Sequence, residues 1–169
     1  MEIAIISHIV DTTIPFQNPG YQNQTWNVIR LNSIEQYPSD LDPSVEGFAS
    51  LDPATGKFTL KQGIYQITYY VRADASSNVY SGLRNETNQQ FVINGDQMAS
   101  GTFDYASSTH WGLVPVFGET EEFSLNLFCW NYKGFSTAGS SLGEIWNEGT
   151  VPPDLTQMRV QSVKIIKLQ

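Results

Sequence analysis

The residue types able to do chemistry are few. Two histidines, His8 and His110, and a single cysteine, Cys129, are the side chains that could act as base or nucleophile near neutral pH. Serines and aspartates are plentiful, so a Ser–His–Asp triad has its parts, but no Gly-x-Ser-x-Gly elbow presents a nucleophile. His8 stands inside the doubly apolar run Glu2 to Val10 and reads as a hydrogen-bonded interface residue rather than a base. His110 begins the run Thr109 to Gly118 beside Trp111. Cys129 is in phase with Phe123, Leu125 and Leu127, the pattern of a buried, unreactive thiol. Neither CxxC nor HExxH occurs, which removes the common zinc signatures. Carboxylates gather at Asp40 and Asp42 and at Glu119, Glu121 and Glu122, in turn-like segments where solvated loop tips explain them better than a glycosidase pair. The oxygen-rich loops are compatible with calcium, but no EF-hand spacing names a ligand, so no cofactor is assigned. The chain reads as a non-enzyme.

Binding chemistry has better material. Aromatic rings on loops stack against sugar C–H faces while Asn, Asp and Gln bind hydroxyls. Tyr132, Phe135 and Trp146 flank the Gly-, Ser- and Pro-rich stretch Lys133 to Asp154, and Tyr105 stands at the start of another segment. These four are the candidate contacts to a host-surface glycan or protein, with packing of the loop onto the body as the competing explanation. Trp26 and Trp111 lie in strand-like runs and are assigned to core or interface. The sequons Asn23-Gln24-Thr25 and Asn85-Glu86-Thr87 have no export signal beside them and read as coincidence.

The element that organises the rest is the hairpin Ser50 to Ala73. Asp52-Pro53-Ala54-Thr55-Gly56 places proline where φ must be near −65° and glycine where φ must be positive. Phe58 and Leu60 then alternate with Lys57, Thr59 and Lys61, as in a strand with one wet face. Gly63 breaks the run. Tyr65, Ile67, Tyr69 and Val71 follow on one apolar face, with Ile64, Gln66, Thr68 and Tyr70 on a mixed one.

Length and composition fit this. The 169 residues suit one domain, 1–169, and charged residues are only 15% against 12% aromatic. No run of ten residues has a helical period. The net charge of −8 speaks against nucleic-acid partners, which need clustered Lys and Arg. No apolar stretch is long enough to span a membrane, and Met1 to Ile6 lacks the basic start of a signal peptide, so a cytoplasmic origin is expected.

Roughly ten short strands predict an antiparallel sandwich or barrel. Strands at Ile3 to Val10, Trp111 to Phe117 and Val160 to Leu168 are apolar on both faces. Gathered in one sheet, they would give it a core side and a second greasy side that a partner must cover. Homo-oligomerisation is the simplest cover. The contact residues assigned on this basis are Ile6, His8, Val10, Ile64, Tyr70, Trp111, Val114, Val116, Ile166 and Leu168. Pro115, lacking an N–H, predicts an unpaired position or bulge, and Glu119 to Glu122 reads as a turn.

The stretch SLDPATGKFTLKQGIYQITYYV resembles the central motif of the jelly-roll heads of complement C-one-q and tumour-necrosis-factor relatives. That motif is an Asp-Pro-x-Thr-Gly turn, a Lys/Arg-Phe-Thr strand, and Gly-x-Tyr leading into an aromatic-rich strand. Trp26, Arg30-Leu31-Asn32-Ser33-Ile34, Gly82-Leu83-Arg84-Asn85-Glu86-Thr87 and Phe135-Ser136-Thr137-Ala138-Gly139 are similar to segments of phage and bacterial versions. The resemblance implies an all-β, ten-stranded antiparallel jelly-roll sandwich that trimerises through its inner sheet. It also implies a virion role (tail-fibre tip, spike head or capsid decoration) alongside other virion proteins, with a bacterial-surface head, a purely structural cap or, last in order, a small hydrolase on the same scaffold as alternatives. There is no collagen stalk and no heptad repeat.

Overall fold

The Asp52–Gly56 turn forms as its residues dictate. The Asp52 carboxylate accepts hydrogen bonds from the Ala54 amide (3.0 Å) and the Thr55 hydroxyl (2.7 Å), and the Gly56 amide donates to the Asp52 carbonyl (2.8 Å). Gly56 has φ of +74°, and a Cβ there would lie 2.8 Å from Arg30 Cα, so both conformation and space require glycine.

The computed structural model describes residues 1–11, 24–37, 47–74, 77–97, 105–131, 140–141, 144–145 and 157–169. In chain order the strands are β1 (Glu2–Asp11), β2 (Trp26–Val28), β3 (Ser33–Tyr37), β4 (Ala49–Asp52), β5 (Lys57–Asp74) and β6 (Ser77–Asn85). They continue with β7 (Gln90–Asn94), β8 (Tyr105–Asn131), β9 (Ser140–Ser141), β10 (Glu144–Ile145) and β11 (Gln157–Lys167). All pairings are antiparallel, and no helix occurs among the described residues.

Two long strands make the architecture. β5 and β8 run side by side through a corner, where the register shifts between Lys61 and Gly63. Before the corner, Phe58 to Lys61 pair with Thr120 to Phe123; after it, Gly63 to Asp74 pair with Tyr105 to Val116. Each long strand therefore serves two layers. The first layer is β3–β1–β11 followed by the second half of β5 and the first half of β8. The second is β4 and the start of β5, the end of β8, then β6 and β7, with β2 also on β8. This is the pairing of an antiparallel jelly roll, and the expected all-β fold is the one found.

One core lies between the layers. Tyr65, Ile67, Tyr69, Val71, Val163, Ile165, Ala4 and Ile6 face it from the first, and Phe58, Leu60, Phe123, Leu125, Leu127 and Leu83 from the second. Phe58 stacks on Phe123 with ring centroids 5.7 Å apart, which continues the cross-strand pairing of their backbones. The Tyr69 hydroxyl reaches across the core to Ser81 Oγ (3.2 Å), satisfying both buried groups.

Three local expectations change. Gly63 does not separate two strands; it bends one. The Glu119–Glu122 segment is no turn either, because Thr120 and Glu121 still pair with Lys61 and Leu60. Instead the Glu121 carboxylate folds back to accept the amides of Phe117 (2.9 Å) and Gly118 (3.2 Å) at the bend. Pro115 causes no bulge. Its partner Ile64 directs both backbone groups the other way, to Gln169 and Leu168, so Pro115 sits at a non-hydrogen-bonded position of the edge strand.

Candidate interaction surface

The registers define the outward face of the first layer row by row. From β3 to β8 the central row is Glu35, Ile5, Lys164, Thr68 and Trp111. On one side of it lies the row Tyr37, Ile3, Ile166, Gln66 and Leu113. Beyond that, Leu168, Ile64 and Pro115 lie together, with Phe117 further along β8. On the other side is a row of hydroxyls: Ser33, Ser7, Ser162, Tyr70 and Thr109. The face thus grades from hydroxyl-bearing to apolar along the strands.

Its apolar end is uncovered. Trp111 is 66% exposed, Leu113 61% and Phe117 81%, with Ile64, Leu168 and Tyr37 between 40% and 52%. The described residues hold eight exposed large hydrophobics; these six lie on this face, leaving Met1 at the chain start and Trp26 elsewhere. Single exposed leucines are ordinary on a protein surface, but a contiguous patch of aromatic and aliphatic rings marks a contact site.

The sequence assignment of contact residues divides on this geometry. Trp111, Leu168, Ile64, Tyr70 and Ile166 lie on the outward face. Ile6, Val114 and Val116 do not: they are 0–2% exposed and belong to the core. Strand parity gives the reason, since Trp111 and Val114 are an odd number of residues apart and point to opposite faces. His8 shares the inward parity of Ile6, is buried, and bonds through Nδ1 with the Arg30 carbonyl. Of Val10 only the backbone pairing with Met158 is described. Leu113 and Phe117, which sequence reasoning left out of the contact, follow from Trp111 by counting in twos.

The four candidate ligand contacts fare differently. Tyr132, Phe135 and Trp146 lie outside the described residues, and of Tyr105 only the pairing with Asp74 is described. Trp26 is on the outer face of the second layer rather than in the core, 4.5 Å from the Phe91 ring and 5.5 Å from Phe128 by centroids, both tilted. Tyr80 meets the same Phe128 edge-on, so these rings form a small satellite cluster.

Nothing in the described residues assembles a catalytic group. His110 packs its ring against Tyr69 at 5.3 Å, and its buried Nε2 has no hydrogen-bond partner, so no serine or carboxylate is bound at that nitrogen. No cluster of three His, Cys, Asp or Glu able to hold a metal occurs among the described residues.

No family model and no curated protein matches the chain. Among solved structures, the crystal structure of murine APRIL at pH 8.5 is similar in outline. It covers 99% of this chain and 98% of its own, with a TM-score of 0.46 at 9% identity. The fold assignment stands on the pairings above.

Proposed function

We propose that this chain is a non-enzymatic assembly and adhesion module, a homotrimer of jelly rolls joined through the outward face of the first layer. One observation carries the reading: Trp111, Leu113, Phe117, Ile64 and Leu168 form a continuous apolar surface that a lone chain would leave in water. A copy of the same chain covers that surface without requiring a second gene product. The motif resemblance to phage and bacterial jelly-roll heads supports a virion setting, as a tail-fibre tip, spike head or capsid decoration. In that setting the loops contact a host-surface glycan or protein and neighbouring virion proteins bind elsewhere on the head.

Two measurements test the two halves. Native mass spectrometry reads the assembly, where a trimer is expected and a monomer at micromolar concentration overturns it. A glycan array probed with the assembled protein reads the adhesion. Binding that falls on Trp146→Ala is the expected result, and an array with no hit reduces the module to a structural cap.

A further inference from the structure

Lys164 is out of place. It occupies the middle of β11, which is itself the central strand of the five-stranded layer, on the outward face. Around it stand Ile5 and Thr68 in its own row and Ile166 and Ile3 in the next, with Trp111 at the row's end. Its side chain is exposed, and the ion pairs Lys57–Glu122, Arg84–Glu86 and Lys167–Glu2 do not include it. Burying an unpaired ammonium in a subunit contact would be strongly unfavourable, whereas burying a paired one is tolerable.

The same face carries its complement. Glu35 is the one carboxylate at an outward position of the described rows, at the opposite end of Lys164's own row on the edge strand β3. Two strand spacings, about 10 Å, separate their backbones within one chain. Its carboxylate accepts the Tyr37 hydroxyl at 3.0 Å, a contact that holds it beside the apolar rows. On the assembly reading above, we propose that Lys164 of each subunit pairs with Glu35 of the next, and that this pair disfavours stacking of two faces over their common centre.

A two-fold stacking of two faces over their common centre sets Lys164 against its own copy, a like-charge contact. A head-to-tail contact instead lays the β3 edge of one subunit over the centre of its neighbour, and closes into a ring when the rotation allows. The lysine therefore penalises stacking over that centre and favours a contact offset toward the β3 edge, which is how a polar group at an apolar seam fixes register.

The test is charge reversal read by sedimentation velocity, with circular dichroism confirming that each variant is folded. Lys164→Glu and Glu35→Lys should each weaken trimerisation by about 100-fold or more, and the double reversal should restore it to within about 10-fold of the parent. Single reversals that leave the trimer intact, or a double reversal that fails to restore it, overturn the pairing while leaving the trimer standing. A parent protein that is monomeric at every concentration overturns the assembly reading itself.

Discussion

Leu113 and Leu125 lie on one strand, twelve residues apart, yet truncating them should damage different things. Leu125 is 0% exposed and faces the core, so Leu125→Ala removes buried methyl groups and leaves a cavity. That substitution costs about 2–5 kcal/mol of folding stability. Leu113 is 61% exposed in the single chain, so little of its surface contributes to folding. Fully burying a leucine is worth about 1.5–3 kcal/mol, and the exposed share of Leu113 therefore leaves about 1–2 kcal/mol for a partner to recover. Three equivalent contacts in a trimer lose about 3–5 kcal/mol together, a drop of about 10²- to 4 × 10³-fold in the assembly constant. Sedimentation equilibrium across a dilution series gives the assembly constants. Urea unfolding, run below the dissociation concentration so that assembly does not contribute, gives the stabilities. Leu113→Ala should shift only the first measurement and Leu125→Ala chiefly the second. If Leu113→Ala lowers the stability of the dissociated chain as much as Leu125→Ala does, the outward face has been misassigned.

Other outcomes follow from local chemistry. Gly56→Ala forces a side chain into a left-handed conformation against the Ile29–Leu31 backbone; the conformational part alone costs about 1–2 kcal/mol, and a lowered urea midpoint with unchanged slope would show it. Burial pushes the Glu121 carboxyl up, but the Gly118 amide, the Asn85 side chain and the Phe117 amide outweigh it, and its pKa falls below the ordinary 4.5. Its stabilisation is present above that value and lost as pH drops through the folded pKa, so Glu121→Gln should flatten the acid side of a stability–pH curve. Burial raises the Tyr65 phenol from 10.0 to about 12. The stability tied to the neutral phenol, which donates to the Lys61 carbonyl at 2.6 Å, is full below pH 10 and disappears as pH rises through about 12. Tyr65→Phe should flatten that alkaline limb in a urea series.

The hairpin was legible because its constraints are local. Pro53 and Gly56 fix dihedrals whatever the rest of the chain does, and the parity of Tyr65, Ile67, Tyr69 and Val71 survives because no bulge interrupts them. The three doubly apolar strands, whose gathering in one sheet the patterning raised only as a condition, do share the first layer with β5. What escaped depends on long-range pairing. Whether Gly63 ends a strand or bends one is decided by β8 following β5 through the corner, and no residue near Gly63 encodes that. The harmlessness of Pro115 rests on Ile64 bonding to the chain's last residues, more than a hundred positions away. The misplacement of Ile6, Val114 and Val116 had a different source. Strands apolar on both faces give no polar alternation to say which side is inward, and only the adjoining sheet decides.

In the proposed assembly the apolar face of the first layer is a contact between copies of this chain, closed as a ring of three. Sedimentation equilibrium of the intact protein tests it most directly. The expected mass is three times the 18.9 kDa chain, about 57 kDa, falling to the chain mass on dilution when Trp111 and Leu113 are both changed to serine. A parent protein that sediments at 18.9 kDa across the micromolar range, with Trp111 and Leu113 open to solvent, would contradict it.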